Sequence, residues 1–140
     1  MKKSPSPPKD GPHKELFSGG KVSGEGHLRN GKRQGAWKFY HLNGKLKAVG
    51  KYMEGALYGH WEWWRENGKP LQAGAFEGSV QVGLWKRYYE SGQLWDEGRY
   101  EEGKKIGQWT IFAKDGSLKQ SKVFKPTLET SYRGNQSRPK

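Results

Sequence analysis

The sequence predicts an all-β repeat protein, an extended antiparallel meander of about four to five β-hairpins, and three observations carry that prediction. The first is a period of 24 residues: Gly35, Gly59, Gly83 and Gly107 each stand two places before Trp37, Trp61, Trp85 and Trp109. The second is that the match runs through the unit. Three residues past each Trp comes an aromatic (Tyr40, Trp64, Tyr88, Phe112), and seven past it a Gly (Gly44, Gly68, Gly92, Gly116). The third is turn chemistry. Asn43-Gly44, Asn67-Gly68, Ser91-Gly92 and Asp115-Gly116 lie between β-rich runs, and such pairs favour the two-residue type I′ turn of a hairpin. A period of this length marks a stack of one supersecondary unit.

Taken in chain order, a degenerate copy opens the array, with Gly19-Gly20 at the turn position and His13 and Leu16 at the two aromatic positions. Terminal repeats commonly depart from the pattern because they cap rather than stack. In the next unit, a turn centred on Asn43-Gly44 sets Trp37 opposite Gly50; the same count sets Trp61 opposite Gly74 and Trp85 opposite Gly98. A Gly opposite a Trp leaves backbone bare for the indole to cover. These six residues, with Trp109, form the expected repeat framework. Because Trp109 faces Lys122, the pattern decays at the end of the array.

Opposed residues share a face. One face is therefore expected to carry Trp37, Phe39, Leu46, Ala48 and Tyr52, then Trp61, Trp63 and Phe76, then Trp85, Tyr89, Leu94 and Tyr100. The other carries Tyr40, Trp64, Tyr88 and Phe112 among polar residues, and with them Trp95. The connection Glu77-Gly78-Ser79-Val80-Gln81-Val82 has its Gly one place early and stands out from its neighbours.

Composition sets the frame. A hydrophobic content of 31% would suit a disordered chain. Seven Trp and seven Tyr at fixed offsets argue instead for a thin, extended fold stabilised by aromatic burial. With no cysteine, neither disulfides nor thiolate metal sites are available. No apolar stretch approaches the roughly 18 to 20 residues of a membrane span, and no hydrophobic signal region follows Met1-Lys2-Lys3, so the expectation is a cytoplasmic protein.

The net charge of +12 sits mostly at the ends. Residues 1–34 hold eight Lys/Arg against three acids, residues 35–118 twelve against ten, and residues 119–140 six against one. The expected organisation is a basic flexible tail over 1–12, a repeat domain over 13–126 and a second basic tail over 127–140. The units of the domain span about 13–34, 35–58, 59–82, 83–106 and 107–126.

With Gly-x-Trp-x-x-Tyr, Asn-Gly-x-Leu and Gly-x-Tyr in place, the chain resembles the MORN repeat family, over roughly residues 13–124. The nearest likeness is to its bacterial variant of about two dozen residues, whose members are often catalogued as antitoxin or immunity components. That resemblance implies an extended β-hairpin sheet that binds proteins, with phospholipid binding proposed for some members.

No catalytic constellation stands out. His13, His27, His41 and His60 have no metal-ligand spacing, and the glycines form no phosphate loop. Asp96-Glu97 and Glu101-Glu102 read as solvated acids. The expectation is a protein without enzymatic activity, cofactor or metal.

Residues that do not serve the repeat are free to serve a partner. His60 sits where other units have Ala36, Leu84 or Gln108. Trp63 replaces a Phe39-type residue. Arg87 and Tyr89 flank Tyr88, and Trp95 lies where its equivalents are Lys47, Leu71 and Lys119. Binding surfaces are enriched in Trp, Tyr and Arg, so these five are the candidate partner-binding residues. The alternative is that they pack against neighbouring hairpins. The expected partner is a protein. An anionic lipid surface is the second reading, nucleic acid a weaker version of it, and pairing of open sheet edges into a homodimer is a further option.

Overall fold

Alternating aromatic, aliphatic and charged residues extend into ten strands in the computed structural model, which describes residues 10–125. They are β1 (Gly11–Leu16), β2 (Val22–Arg29), β3 (Lys32–Tyr40), β4 (Leu46–Met53), β5 (Ala56–Trp64), β6 (Pro70–Glu77), β7 (Val80–Tyr88), β8 (Leu94–Glu101), β9 (Lys104–Phe112) and β10 (Leu118–Phe124). All ten lie in one antiparallel sheet in chain order, an up-and-down meander. The tails expected over 1–12 and 127–140 lie outside the described residues, except for residues 10–12; of these, Gly11 and Pro12 belong to β1.

The two ends of the sheet use different turns, and this corrects the expected turn type. At Asn43-Gly44, the Gly44 N–H donates to the His41 carbonyl at 2.9 Å and the His41 N–H to the Lys45 carbonyl at 2.8 Å. Only Gly44 has positive φ, at 87°. This is a three-residue loop, a type I turn closed by a left-handed glycine, and it recurs at Phe17–Lys21, Arg65–Lys69, Tyr89–Gln93 and Ala113–Ser117. Asn, Ser or Asp precedes the glycine because its side-chain oxygen accepts the N–H two residues on: Asn43 from Lys45, Asn67 from Lys69, Asp115 from Ser117, each at 2.9 Å. The two-residue turns lie at the opposite ends of the strands, where Asn30-Gly31, Glu54-Gly55, Gly78-Ser79 and Glu102-Gly103 all have positive φ. The irregular Gly78-Ser79 connection thus makes the same turn as its neighbours. The Ser79 hydroxyl adds an acceptor for the Leu57 N–H at 2.8 Å.

Each hairpin also holds a bulge. In β3–β4, Phe39 pairs with Ala48 but Tyr40 with Leu46, leaving Lys47 as the extra residue. The corresponding extras are Ser23, Leu71, Trp95 and Lys119. A loop longer by one residue and a bulge of one residue cancel, so Trp37 still faces Gly50, Trp61 Gly74 and Trp85 Gly98. Between loop and bulge the expected register fails. Leu46 and Leu94 pair with Tyr40 and Tyr88 and so leave the Trp face.

Between hairpins a larger irregularity recurs. Val49 pairs with Glu62 and Lys51 with Tyr58, so Gly50 lies opposite the three residues Gly59-His60-Trp61. Gly59, like Gly35, Gly83 and Gly107, takes a left-handed φ of 65–72° there, with open space where a Cβ would be. The bend throws the Trp back over the preceding hairpin. A Cβ on Gly26, Gly50, Gly74 or Gly98 would fall 2.4, 1.9, 2.0 or 2.2 Å from an indole carbon of Trp37, Trp61, Trp85 or Trp109. Each Gly is therefore covered by the Trp of the next unit, and not by the Trp it faces across its own hairpin as the sequence suggested. Each indole N–H then donates to the carbonyl one residue beyond that Gly, on His27, Lys51, Ala75 and Arg99, at 2.9–3.1 Å.

These latches form the core. The four indoles are 0–3% exposed, and around them Phe39, Tyr52, Trp63, Phe76 and Tyr100 pack in alternating stacked and edge-on contacts. The core is one ring thick, on one side of a single sheet. Stacking such units side by side is what buries it.

Candidate functional site

A row of paired residues crosses the Trp face from strand to strand: Phe39, Ala48, Trp63, Gln72, Arg87, Asp96 and Ile111. At its start the row is aromatic. Trp37, Phe39, Trp61 and Trp63 stack in a column with centroid distances of 5.7–6.3 Å, and Trp85 lies 5.9 Å beyond Trp63. In the fourth hairpin, β7–β8, the column stops, because Arg87 holds the position of Phe39 and Trp63.

Arg87 is fixed from two sides. Its Nε and Nη2 donate to the two carboxylate oxygens of Asp96 at 3.0 and 2.7 Å, a fork-to-fork geometry. Its guanidinium carbon stands 3.8 Å above the Trp95 ring. Tyr89 stacks on the same indole at 5.2 Å and 18°. A guanidinium and a phenol ring have no room side by side on one indole face at those distances, so Trp95 is held between them. The Tyr89 hydroxyl reaches on to the Phe112 carbonyl at 2.7 Å.

Burial within this cluster is uneven. The Asp96 side chain is 4% exposed and that of Arg87 42%. Hydrogen bonding to Asp96 raises the Arg87 pKa above its ordinary value, against the opposing pull of burial. Burial raises the neighbouring Tyr100 phenol, and the Arg87 charge offsets part of that rise.

The structure thus gathers three of the five candidates, Arg87, Tyr89 and Trp95, into one cluster. The bulge is responsible: it turns Trp95 onto the Trp face rather than the polar face on which strict alternation would put it. Trp63 lies on the same face two strands away, within the core column and edge-on to Phe76. His60 lies apart. It pairs with Ala75 on the opposite face, its Nε2 3.0 Å from Glu62, with both side chains largely in water.

Sequence reasoning missed Asp96, which is buried beneath Arg87 rather than solvated. The signal was there, since its equivalents are Ala48, Gln72 and Gln120, none of them charged. A second missed pattern is the position just before each loop. His41, Arg65 and Tyr89 share no chemistry, yet each donates to the carbonyl 23 residues on, of Trp64, Tyr88 and Phe112, at 2.7–2.9 Å. Tyr89 is therefore a tether between hairpins as well as a member of the cluster.

On the same face, between the first hairpins, lies a recess of about 300 Å³ lined by Phe17, Ser23, Phe39, Lys47, Trp61 and Trp63. Among the described residues no group of three or more His, Asp or Glu side chains is placed to hold a metal ion. Nor, among the described residues, is any helix long and apolar enough to cross a membrane.

Comparison with known proteins returns one family. The model described as MORN repeat variant matches residues 33–53 and 81–102. The matches begin two periods apart and fall on β3–β4 and β7–β8, so the match is in phase with the repeat. Repeats of this kind are non-catalytic binding modules. No curated protein matches the chain. Among solved structures, the GtfA/B complex bound to UDP and GlcNAc overlays with a TM-score of 0.36 and 11% sequence identity, covering 89% of this chain and 29% of that one.

Proposed function

We propose that the chain is a non-enzymatic protein-interaction module, and that the Arg87–Trp95–Tyr89 cluster over Asp96 is its contact site. One observation carries this reading. The fourth hairpin, β7–β8, holds a buried carboxylate under an arginine where the two hairpins before it pair an aromatic ring, Phe39 with Ala48 and Trp63 with Gln72. Burying an ion pair gains little over packing hydrophobic residues of similar size, so the substitution is poorly explained by stability. Arginine and large aromatics are also the residues that dominate protein contacts. An antitoxin or immunity role, with this face covering a toxin, is the specific form suggested by the likeness to MORN-type repeats.

The test borrows the pair that the third hairpin, β5–β6, already uses, Trp63 with Gln72. Full-length protein and the double variant Arg87→Trp/Asp96→Gln serve as parallel baits in native lysate across a salt series, after both are shown to melt alike. The expected outcome is a protein retained by the wild type at high salt and lost by the variant. Equal retention by both would remove the cluster from the reading.

The net charge of +12 favours a second reading, binding to an anionic lipid surface or, less directly, to nucleic acid. Its mark would be capture that disappears as salt rises, equally for both baits.

A further inference from the structure

Every interior junction between hairpins repeats one fit. The later strand brings a Trp, the earlier strand supplies the Gly beneath it, and at three of the four junctions a ring two residues past that Gly meets the same indole edge-on, with Leu28 in its place at the first. Those rings are Tyr52, Phe76 and Tyr100, at 5.1, 5.1 and 5.2 Å from Trp61, Trp85 and Trp109.

The two outer strands each keep half of this fit. On β10, Phe124 stands at the ring position, but Lys122 replaces the Gly. The Lys122 ammonium lies 5.6 Å from the Phe124 ring centre and that of Lys105 5.5 Å, so cations cover a ring that elsewhere receives the next indole. On β1, Gly11 has positive φ (109°) at the position of Gly35, but His13 stands where Trp belongs. The outer edge of β1 is of the kind that accepts an earlier hairpin, and the outer edge of β10 of the kind that accepts a later one. In the register that pairs Val49 with Glu62, Ser121 would face Lys14 of a second copy.

We propose that these edges are complementary halves of one self-assembly interface, and that Lys122 and His13 are the residues that hold it closed. A Cβ at position 122 fills the space in which an incoming ring must lie, since a Cβ on the interior glycines would come within 2.4 Å of an indole carbon. An imidazole lacks the second ring that covers the glycine backbone. The partner that fits is a second copy of this chain, joined head to tail. Such a contact repeats without closing, which is why blocking it keeps an open sheet from growing into a fibre.

The experiment uses two full-length single variants, Lys122→Gly and His13→Trp. Each removes one stop and restores the interior pairing of a Trp opposite a Gly, since Lys122 faces Trp109 and His13 faces Gly26, with its ring 6.3 Å from that of Trp37. Circular dichroism and melting confirm the fold, and mass is read by sedimentation for each variant alone and for the equimolar mixture. Amide hydrogen exchange of β1 and β10 serves as a second, more sensitive readout. The wild type and each single variant are expected at monomer mass. The mixture is expected to give a species of twice that mass, with slowed exchange in β10 of the Lys122→Gly chain and β1 of the His13→Trp chain. A mixture of folded variants that stays monomeric with unchanged exchange would overturn the proposal, as would head-to-tail association of the wild type. Loss of fold in either variant would also overturn it, by showing that the residue belongs to the fold itself rather than to a stop on its edge.

Discussion

At the residue scale, the repeat contains two kinds of glycine required for opposite reasons. Gly83 needs its left-handed φ of 69° and has empty space around it, whereas Gly74 needs the space, because a Cβ there would lie 2.0 Å from the Trp85 ring. Gly83→Ala should therefore cost about 1 kcal/mol in backbone strain. Gly74→Ala should cost on the order of 2–4 kcal/mol, because a fully packed indole must move. Thermal or denaturant melts of the two variants check the ranking. The identity of the covering ring is checked by NMR, where Gly74→Ala should shift the indole N–H signal of Trp85 more than that of Trp61. Comparable shifts at Trp61 would mean that the glycine is covered within its own hairpin.

At the scale of the hairpin, the two-residue turns carry residues poorly suited to them. Glu54 and Glu102 sit at φ of 49° and 50°, a region that Asn tolerates better than Glu. Glu54→Asn should therefore raise stability by about 0.5 kcal/mol, seen as a higher melting temperature with unchanged strand content. Strand content, repeat length and the pairing of Trp37 with Gly50 were all legible in the sequence, because each depends on a count that the 24-residue period fixes. The turn type and the bulge were not legible, and the reason is arithmetic. Adding one residue to the loop and one to the strand leaves the pairing beyond them unchanged, so no framework residue reports the difference. The cost fell on residues between loop and bulge: Trp95 was assigned to the wrong face, and its contact with Arg87 and Tyr89 was therefore hidden. The burial of Asp96 depends on the same local turn of the chain.

At the scale of the molecule, the core is a single layer of rings, and two phenols in that layer give it a response to alkaline pH. Burial raises the pKa of Tyr52 and of Tyr100, with Arg33 and Arg87 respectively offsetting part of that rise. The unfolded chain therefore loses these protons first as pH rises past the ordinary value near 10, and from there stability should fall; below it the two phenols contribute no pH dependence. Melts across alkaline pH check this, and Tyr52→Phe should flatten the decline. The backward set of the latches has a further consequence for how the chain is made. Each Trp closes the hairpin that precedes it, and among the described residues no strand pairs beyond its immediate neighbours in sequence. A chain emerging from the ribosome can thus complete its structure in the order of synthesis, each finished hairpin needing only a short stretch of the next. At every moment the most recent glycine is bare, and the next tryptophan to emerge is the one that covers it.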